Sequence, residues 1–326
     1  MPTMTYAEAL CQSLLDTCEA EPNLIFIPAA FGGLSPHAKS FAPFYARFRD
    51  RIYPAPISEI ALCGIGVGAA IAGLRPVIDV LSASFLYQGI AQVVNEAANV
   101  HYMTDGKTRC PVIFHAMQGV LPGEAAQHNR CLSAELWNSP GLEIVLPASP
   151  EDAAGLWKTA VASPNPTVFM DHQLLMGMTA EVPAHVEPIP FGQARVVRSG
   201  RDVTVVATLA VVERAVRAAE QVEASDSISV EVIDPRTLVP FDEETIVQSV
   251  RKTGRLVVAD ETIRSCGVAA EVVARVQERC WGDLKGPIQR VTLPDVPIPF
   301  SRPQEAVVAV TPEKIAQAVR LVARYQ

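Results

Sequence analysis

The feature that most limits the fold of this chain is a repeated alternation of short apolar segments with longer amphipathic ones. The apolar segments are rich in β-branched residues, as strands buried in a sheet are. The intervening segments space their apolar residues three or four positions apart, which is typical of helices. Because strands that alternate with helices form mostly parallel sheets flanked by helices, we expect an α/β fold. The predicted strands are NLIFIPAA, RPVIDVL, PVIFHA, LEIVLPA, PTVFMDH, DVTVVATL, ISVEVIDPRTL, RLVVADE and IQRVTL.

The alternation is interrupted once, between Glu181 and Arg201, where three prolines stand in an aperiodic stretch. This break predicts two domains, 1–183 and 202–326, joined by a linker over 184–201. Each domain is expected to hold its own mostly parallel sheet. A chain of 326 residues is long enough for two such domains.

Charge and cysteine content argue against several classes of function. The net charge is −8 without a basic run, which disfavours nucleic acid and anionic membrane as partners. The seven cysteines are an odd number and include no CxxC pair, so neither a disulfide framework nor a zinc site is predicted. The N-terminal stretch lacks a secretory pattern, and no apolar run has the length of a membrane span. We expect a cytoplasmic protein.

A single carboxylate, Glu59, is the only charged residue between Ala55 and Leu74. A helix is predicted to begin near Ser58, with Ser58 or Pro56 marking its start, so Glu59 falls in its first turn, where an acid ordinarily only stabilises the helix dipole. Gly64 and Gly68 then share one face with Ala72. Since each glycine costs a helix about 0.8–1 kcal/mol, we expect this face to pack closely on a neighbour, either within the domain or in another subunit.

The same segment superficially fits a dinucleotide-binding fingerprint through Gly64, Gly66 and Ala69. That fingerprint requires a strand directly before the first glycine and an acid about twenty residues later, at a strand end. The preceding PISEIALC is a poor central strand, and Asp79 lies inside the next predicted strand. We therefore reject a nicotinamide cofactor site here.

Other chemistry-bearing residues follow predicted strands. Phe85, Tyr87 and Gln88 come after RPVIDVL, and His128 lies in a loop after PVIFHA. The carboxyl ends of parallel strands are where open α/β sheets bind ligands. Two aromatic side chains and an amide could hold a flat heterocycle, and a histidine in a polar loop could move protons. His115 is a second candidate for that role.

Together the motifs resemble a known family. PISE, GxxxGAAxAGLRPV, QxxxQVVNEAA, AAQH, SPEDAxGL, NPTVFM and DPRTLVPFD occur in the order seen in beta subunits of thiamine-diphosphate-dependent 2-oxo acid dehydrogenases. The resemblance covers nearly the whole chain. It implies a pyrimidine-binding domain followed by a transketolase C-terminal domain, and the decarboxylation of pyruvate or a branched-chain 2-oxo acid, or the cleavage of acetoin.

The resemblance also implies roles for individual residues. Glu59 corresponds to the carboxylate that hydrogen-bonds N1′ of the cofactor's aminopyrimidine, held in an apolar pocket. Phe85 corresponds to the aromatic side chain that stacks on that ring, with Ile57 and Gln88 as further cofactor contacts. His128 corresponds to the histidine that handles protons or positions the acyl group.

The family divides its active site between two chains. This sequence lacks the GDG motif, followed by an asparagine, that binds Mg²⁺ and the diphosphate, and the family carries that motif on an alpha subunit. We expect an α₂β₂ assembly with Mg²⁺ held mainly by the alpha subunit. A lipoyl domain or an acyl carrier protein would accept the acyl group, and a structural K⁺ near Asn165 occurs in some relatives.

Two departures from the family pattern leave alternatives open. Pro28 and Ala29 stand where relatives usually carry an acidic turn, and Ala91 replaces a usual aspartate. The same machinery could instead take a two-carbon ketol from a ketose phosphate and pass it to a lipoyl or acyl carrier protein. A non-catalytic scaffold subunit is the other alternative, although such a subunit would need none of Glu59, Phe85 and His128.

Overall fold

The computed structural model describes residues 1–28, 30–33 and 35–325. The strands are β1 Thr3–Thr5, β2 Leu24–Phe26, β3 Arg75–Ser82, β4 Ile113–Met117, β5 Glu143–Val145, β6 Thr167–Asp171, β7 Thr179–Glu181, β8 Arg195–Arg198, β9 Val203–Ala207, β10 Val230–Asp234, β11 Thr237–Val239, β12 Leu256–Ile263 and β13 Gln289–Leu293. The α-helices are α1 Tyr6–Ala20, α2 Ala42–Arg47, α3 Glu59–Ile71, α4 Val100–Met103, α5 Ala125–His128, α6 Ser133–Trp137, α7 Pro150–Ala162, α8 Ala210–Asp226, α9 Glu243–Thr253, α10 Val268–Cys280, α11 Arg302–Val308 and α12 Pro312–Ala323.

The chain divides into two compact units. The first comprises Met1–Gln118 and Glu135–Phe191, and the second comprises Gly119–Ala134 and the chain from Gly192 onward. The main division lies within the predicted linker. However, the loop Gly119–Ala134 belongs to the second unit, which no local sequence pattern indicated.

The first unit is built on a parallel sheet in which β5, β6, β4, β3 and β2 are neighbours in that order. All five residues of β4 and of β6 are buried, which explains their unbroken apolar character. Trp157 of α7 packs edge-on against Phe31 and Phe169 in the core. The indole of Trp157 also donates a 3.0 Å hydrogen bond to Thr17 of α1.

Local sequence signals set the ends of the principal helices. Thr5 and Glu8 form a capping box at the start of α1, and Ser149 caps α7 ahead of a proline in its first turn. In the second unit, Asp242 caps α9, and Gly254 ends it with a left-handed conformation at φ +69°.

The second unit contains a sheet in the order β13, β12, β9, β10 and β8. Its pairings are parallel except for β8, which runs antiparallel to β10 along one edge. The α/β prediction with two mostly parallel sheets is therefore confirmed. β8 lies inside the segment predicted to be a linker. Its two arginines are half-buried and its two valines are exposed, so it differs from the fully buried central strands.

One predicted helix is wrong in detail. The helical spacing of the apolar residues in LYQGIAQVVNEAANVHYM predicts one long amphipathic helix. Instead a 3₁₀ turn at Ala83–Tyr87 is followed by a π-helix at Gln92–Ala97 and the short α4. The Asn99 side-chain amide donates to the carbonyls of Val94 and Asn95 and takes up acceptors that a regular helix would use.

Among the described residues, no helix is both long enough and apolar enough to span a bilayer.

Candidate active site

Glu59 is the first residue of α3 and is 5% exposed. The helix begins where the sequence predicted, with Ser58 at the N-cap. The Ser58 side chain makes no capping hydrogen bond. Within residues 1–28, 30–33 and 35–325 the Glu59 carboxylate makes no hydrogen bond or salt bridge, and its oxygens are not fully enclosed. A buried carboxylate is ordinarily paired, so an unpaired one at a helix N-terminus can bind a donor from outside the chain.

The surroundings of Glu59 are apolar and tightly packed. Cys63, one turn later, has a thiol whose pKa is raised to about 12, first by burial and then by the nearby charge of Glu59, so the thiol is protonated at neutral pH. Gly89 leaves no room on this side, because a Cβ there would lie 2.6 Å from Cys63 Sγ and 3.0 Å from the Glu59 carbonyl oxygen.

The turn that carries the aromatic candidates therefore lies against the start of α3. Phe85 is half-buried in the 3₁₀ turn Ala83–Tyr87 and is not a core residue. Gln88 is exposed, and the Tyr87 hydroxyl donates a 2.7 Å hydrogen bond to Glu135 Oε1. Ile57, two residues before the helix, is 94% exposed.

The predicted close contact of the small helix face is not made within the described part of this chain. A Cβ at Gly68 would meet no atom within 4 Å, and one at Gly64 only Gln92 Cγ at 3.7 Å. The close approach is made instead by Gly66, where a Cβ would lie 2.5 Å from Ile78 Cγ1 of β3. The intradomain contact thus falls on the opposite side of the helix, and the Gly64 and Gly68 side carries exposed isoleucines at Ile60, Ile65 and Ile71.

His128 ends the short helix α5 in the second unit. Its side chain is 41% exposed, and its Nδ1 lies 3.9 Å from Glu124 Oε2. The loop that presents it is well anchored: buried Asn129 exchanges two 2.9 Å hydrogen bonds with the backbone of Leu121. The Gly123 N–H donates to the carboxylate of Glu305, which is 5% exposed.

His115, the second histidine candidate, occupies a different environment. It lies in β4, fully buried, with Nδ1 3.2 Å from Asp79 Oδ1 and Nε2 2.9 Å from Asp171 Oδ2. A ring enclosed in this way cannot exchange a proton directly with a substrate. The structure therefore gives His115 no support as a proton carrier and makes it the centre of a buried ion cluster.

The segment around Asn165, where K⁺ was predicted, is occupied by protein groups. The Asn165 side-chain amide donates to Glu143 Oε1, and the hydroxyls of Ser163 and Thr167 donate to Glu143 Oε2. The Arg75 guanidinium donates to the carbonyls of two residues at the end of α7, one of them Ser163. No group of three or more His, Cys, Asp or Glu residues in the described ranges could hold a metal ion.

Comparisons with known proteins decide the family. The transketolase pyrimidine-binding domain matches residues 2–178, and the transketolase C-terminal domain matches residues 192–315. The chain is 40% identical over 275 residues to the pyruvate dehydrogenase E1 component subunit beta of Rickettsia conorii, an alignment that covers 84% of each chain. It is 33% identical over 328 residues to the 2-oxoisovalerate dehydrogenase subunit beta of Bacillus subtilis, covering 100% of both. The chain belongs to the family of 2-oxo acid dehydrogenase E1 beta subunits.

A third E1 beta relative is the beta subunit of acetoin:2,6-dichlorophenolindophenol oxidoreductase from Cupriavidus necator, 38% identical over 291 residues, or 89% of this chain and 85% of that one. Among solved structures, a split-gene transketolase in an inactive beta4 tetramer matches with a TM-score of 0.78 at 23% identity, covering 99% of each chain. That likeness supports the fold alone. Membership of the E1 beta family confirms a thiamine-diphosphate-dependent, decarboxylating enzyme class and implies an alpha subunit as partner.

The residues present fit thiamine diphosphate. The buried Glu59 carboxylate lacks a partner among the described residues, as expected of a group that binds a ring nitrogen of the cofactor. The half-buried ring of Phe85 lies in the turn that packs on the start of α3.

Sequence reasoning missed one polar group near this site. The amide oxygen of Gln92 is buried without a hydrogen-bond partner in the described chain, and its side chain lies beside Gly64. An amide within the otherwise apolar GIAQVV could have indicated it.

Proposed function

We propose that this chain, together with an alpha subunit, decarboxylates a 2-oxo acid and transfers the acyl group to a lipoyl carrier. The observation that carries the proposal is the Glu59 carboxylate, 5% exposed and unpaired in the described chain, in a protein of the E1 beta family. A scaffold subunit would have no use for a buried carboxylate without a partner, because burial of such a group destabilises the fold.

Thiamine diphosphate, when bound, supplies the carbanion chemistry of the reaction. The Glu59 carboxylate would hold the N1′ nitrogen of its aminopyrimidine and share a proton with it. Phe85 would stack on the pyrimidine ring, with Gln88 and Ile57 at its margin. His128, with its accessible imidazole, would handle protons near the acyl group or orient that group for transfer.

The proposed partner is an alpha subunit that holds Mg²⁺ and the diphosphate in an α₂β₂ assembly. The exposed face of α3 supports such a contact, since Ile60, Ile65 and Ile71 are each about half exposed and Gly64 and Gly68 leave space for an approaching backbone. The three isoleucines would otherwise be an unusual concentration of apolar surface on one helix.

Donor specificity tests the function. The chain is co-purified with its alpha partner and supplied with thiamine diphosphate, Mg²⁺ and an artificial electron acceptor dye. Dye reduction with pyruvate or a branched-chain 2-oxo acid is expected. Reduction only with ketose phosphates would instead establish the two-carbon transfer alternative, and absence of turnover with either class would support the scaffold alternative.

The divided site is tested by cofactor binding. Calorimetry on the isolated chain should detect only weak binding of thiamine diphosphate with Mg²⁺, and the complex with the alpha subunit should bind it tightly. Tight Mg²⁺-dependent binding by the isolated chain would contradict the proposal. The predicted K⁺ near Asn165 is tested separately. The thermal midpoint of the complex is measured in KCl and in choline chloride, and K⁺ binding should raise it.

A further inference from the structure

A fully buried ion cluster crosses three neighbouring strands of the first unit. Asp79 of β3, His115 of β4 and Asp171 of β6 are each no more than 2% exposed. His115 is flanked by the two carboxylates, at 3.2 Å and 2.9 Å. The Tyr6 hydroxyl donates to the other oxygen of Asp171. None of these four side chains has a role in the chemistry proposed above.

Asp79 extends the cluster to two backbone segments. Its Oδ2 accepts a 2.7 Å hydrogen bond from the Ala30 N–H in the loop after β2. Its Oδ1 accepts a 3.0 Å hydrogen bond from the Leu81 N–H, at the point where β3 leaves its regular register with β4. Leu81 has φ +65°, a left-handed conformation that costs a non-glycine residue about 1–2 kcal/mol and therefore requires support.

Leu81 leads directly into the turn that carries Phe85, and the loop after β2 is held on the same cluster. The Phe31 ring lies 4.5 Å, centroid to centroid, from the His115 ring. Gly33 packs so closely on Met117 that a Cβ there would lie 2.2 Å from its terminal methyl carbon. The Asp79 carboxylate thus anchors both residues 30–33 and the turn that carries Phe85.

The positive charge on His115 explains how the Asp79 carboxylate can be buried. Burial lowers the pKa of His115, but the charge of Asp79 and the charge and hydrogen bond of Asp171 outweigh that effect and raise it to about 10. The imidazolium thereby compensates two carboxylates that would otherwise be costly to bury. Removal of the cation would leave Asp79 without its counter-ion while its two backbone bonds remained.

We propose that Asp79 and His115 are positioning residues for the cofactor site: Asp79, paired with His115, fixes residues 30–33 after β2 and the Phe85-bearing turn in one arrangement. The relevance to catalysis rests on the function proposed above. A displacement of about 1 Å in a group that orients a reacting ring can cost about 100-fold in rate. Loss of the Asp79 anchor should therefore have a measurable effect on the cofactor site.

Hydrogen exchange tests the anchoring without reliance on activity. Asp79→Asn and His115→Gln are prepared as complexes with the alpha subunit, and amide exchange is measured by mass spectrometry. Glu231→Gln is the matched control, because Glu231 is a buried carboxylate of the second unit that pairs with Lys252. Thiamine diphosphate affinity is measured on the same complexes by calorimetry.

We expect exchange to rise by about tenfold or more in both 30–33 and 81–87 in each cluster variant, which corresponds to about 1.4 kcal/mol of local opening. Exchange in β9 should remain as in the wild type. In the variants whose exchange rises in the two segments, the affinity for thiamine diphosphate should fall. Glu231→Gln should lower the thermal midpoint but change neither the exchange in 30–33 and 81–87 nor the affinity for thiamine diphosphate.

Faster exchange spread evenly over the first unit, or loosening of the two segments with unchanged cofactor affinity, would overturn the proposal. If Asp79→Asn does not assemble, His115→Gln decides the matter, since it retains both carboxylates. Failure of the wild-type complex to bind thiamine diphosphate would refute the proposed function, whereas the exchange pattern would still decide whether Asp79 anchors both segments.

Discussion

Gly89 lies against the backbone of Glu59, where a Cβ on the glycine would come within 3.0 Å of the glutamate's carbonyl oxygen. Gly89→Ala should therefore push the Phe85-bearing turn away from the start of α3. Overpacking of this kind costs about 1–3 kcal/mol of stability. We expect a lower thermal midpoint and weaker thiamine diphosphate binding in the complex. Unchanged cofactor affinity would show that the contact is not needed by the site.

Two of the three glycines of α3, Gly66 and Gly68, should respond in opposite ways to alanine. Gly66→Ala would place a methyl group 2.5 Å from Ile78 Cγ1 and should destabilise the chain by about 1–3 kcal/mol. Gly68→Ala meets open space and should stabilise the isolated chain by up to about 1 kcal/mol through helix propensity. If the Gly68 face contacts the alpha subunit, the same variant should weaken assembly in sedimentation experiments. Unimpaired assembly would remove this face from the interface.

His128→Ala should slow acyl transfer more than it weakens cofactor binding. General acid–base catalysis typically contributes about 10²–10⁴-fold, and the imidazole at the end of α5 is 41% exposed. Rapid-quench kinetics separate transfer from binding. His185→Ala, at a surface histidine with a 72% exposed side chain, is the control. Equal losses in transfer and binding would make His128 a structural residue.

Stability should depend on pH through His115. Its pKa rises from an ordinary 6.5 to about 10 in the folded chain, because Asp79 and Asp171 outweigh the effect of burial. A cation with a raised folded pKa stabilises fully below the unfolded value and loses that contribution as pH rises through the folded value. The thermal midpoint should therefore fall between pH 7 and 10 more steeply in wild type than in His115→Gln. Parallel curves of thermal midpoint against pH would contradict a charged His115. The Tyr6 hydroxyl, which donates to Asp171, is present in both proteins.

The central strands could be located from the sequence because strands buried on both faces of a parallel sheet form continuous apolar runs. The predicted strand PVIFHA contains most of β4, which is IFHAM, and PTVFMDH contains all of β6, TVFMD; every residue of both strands is buried. Glu59 was also correctly located in the first turn of a helix, since a proline, a serine and a lone acid define that terminus locally.

The features that could not be predicted depend on tertiary neighbours. Gly66 and Gly68 are equivalent in the sequence, and only the position of Ile78 determines which one is packed. The pairing of His115 with Asp79 and Asp171 follows from strand register, which local periodicity does not specify. The π-helix at Gln92–Ala97 retains an apparently helical pattern of apolar residues and so looked regular.

The most direct test of the central claim is the turnover of Glu59→Gln in complex with the alpha subunit. Glutamine conserves the size of the side chain at a position that is 5% exposed but cannot share a proton as a carboxylate does. With a 2-oxo acid donor, thiamine diphosphate and Mg²⁺, we expect turnover to fall by at least about 100-fold while the thermal midpoint and assembly are retained. Turnover near the wild-type rate would contradict the account of Glu59 as the group that activates the cofactor.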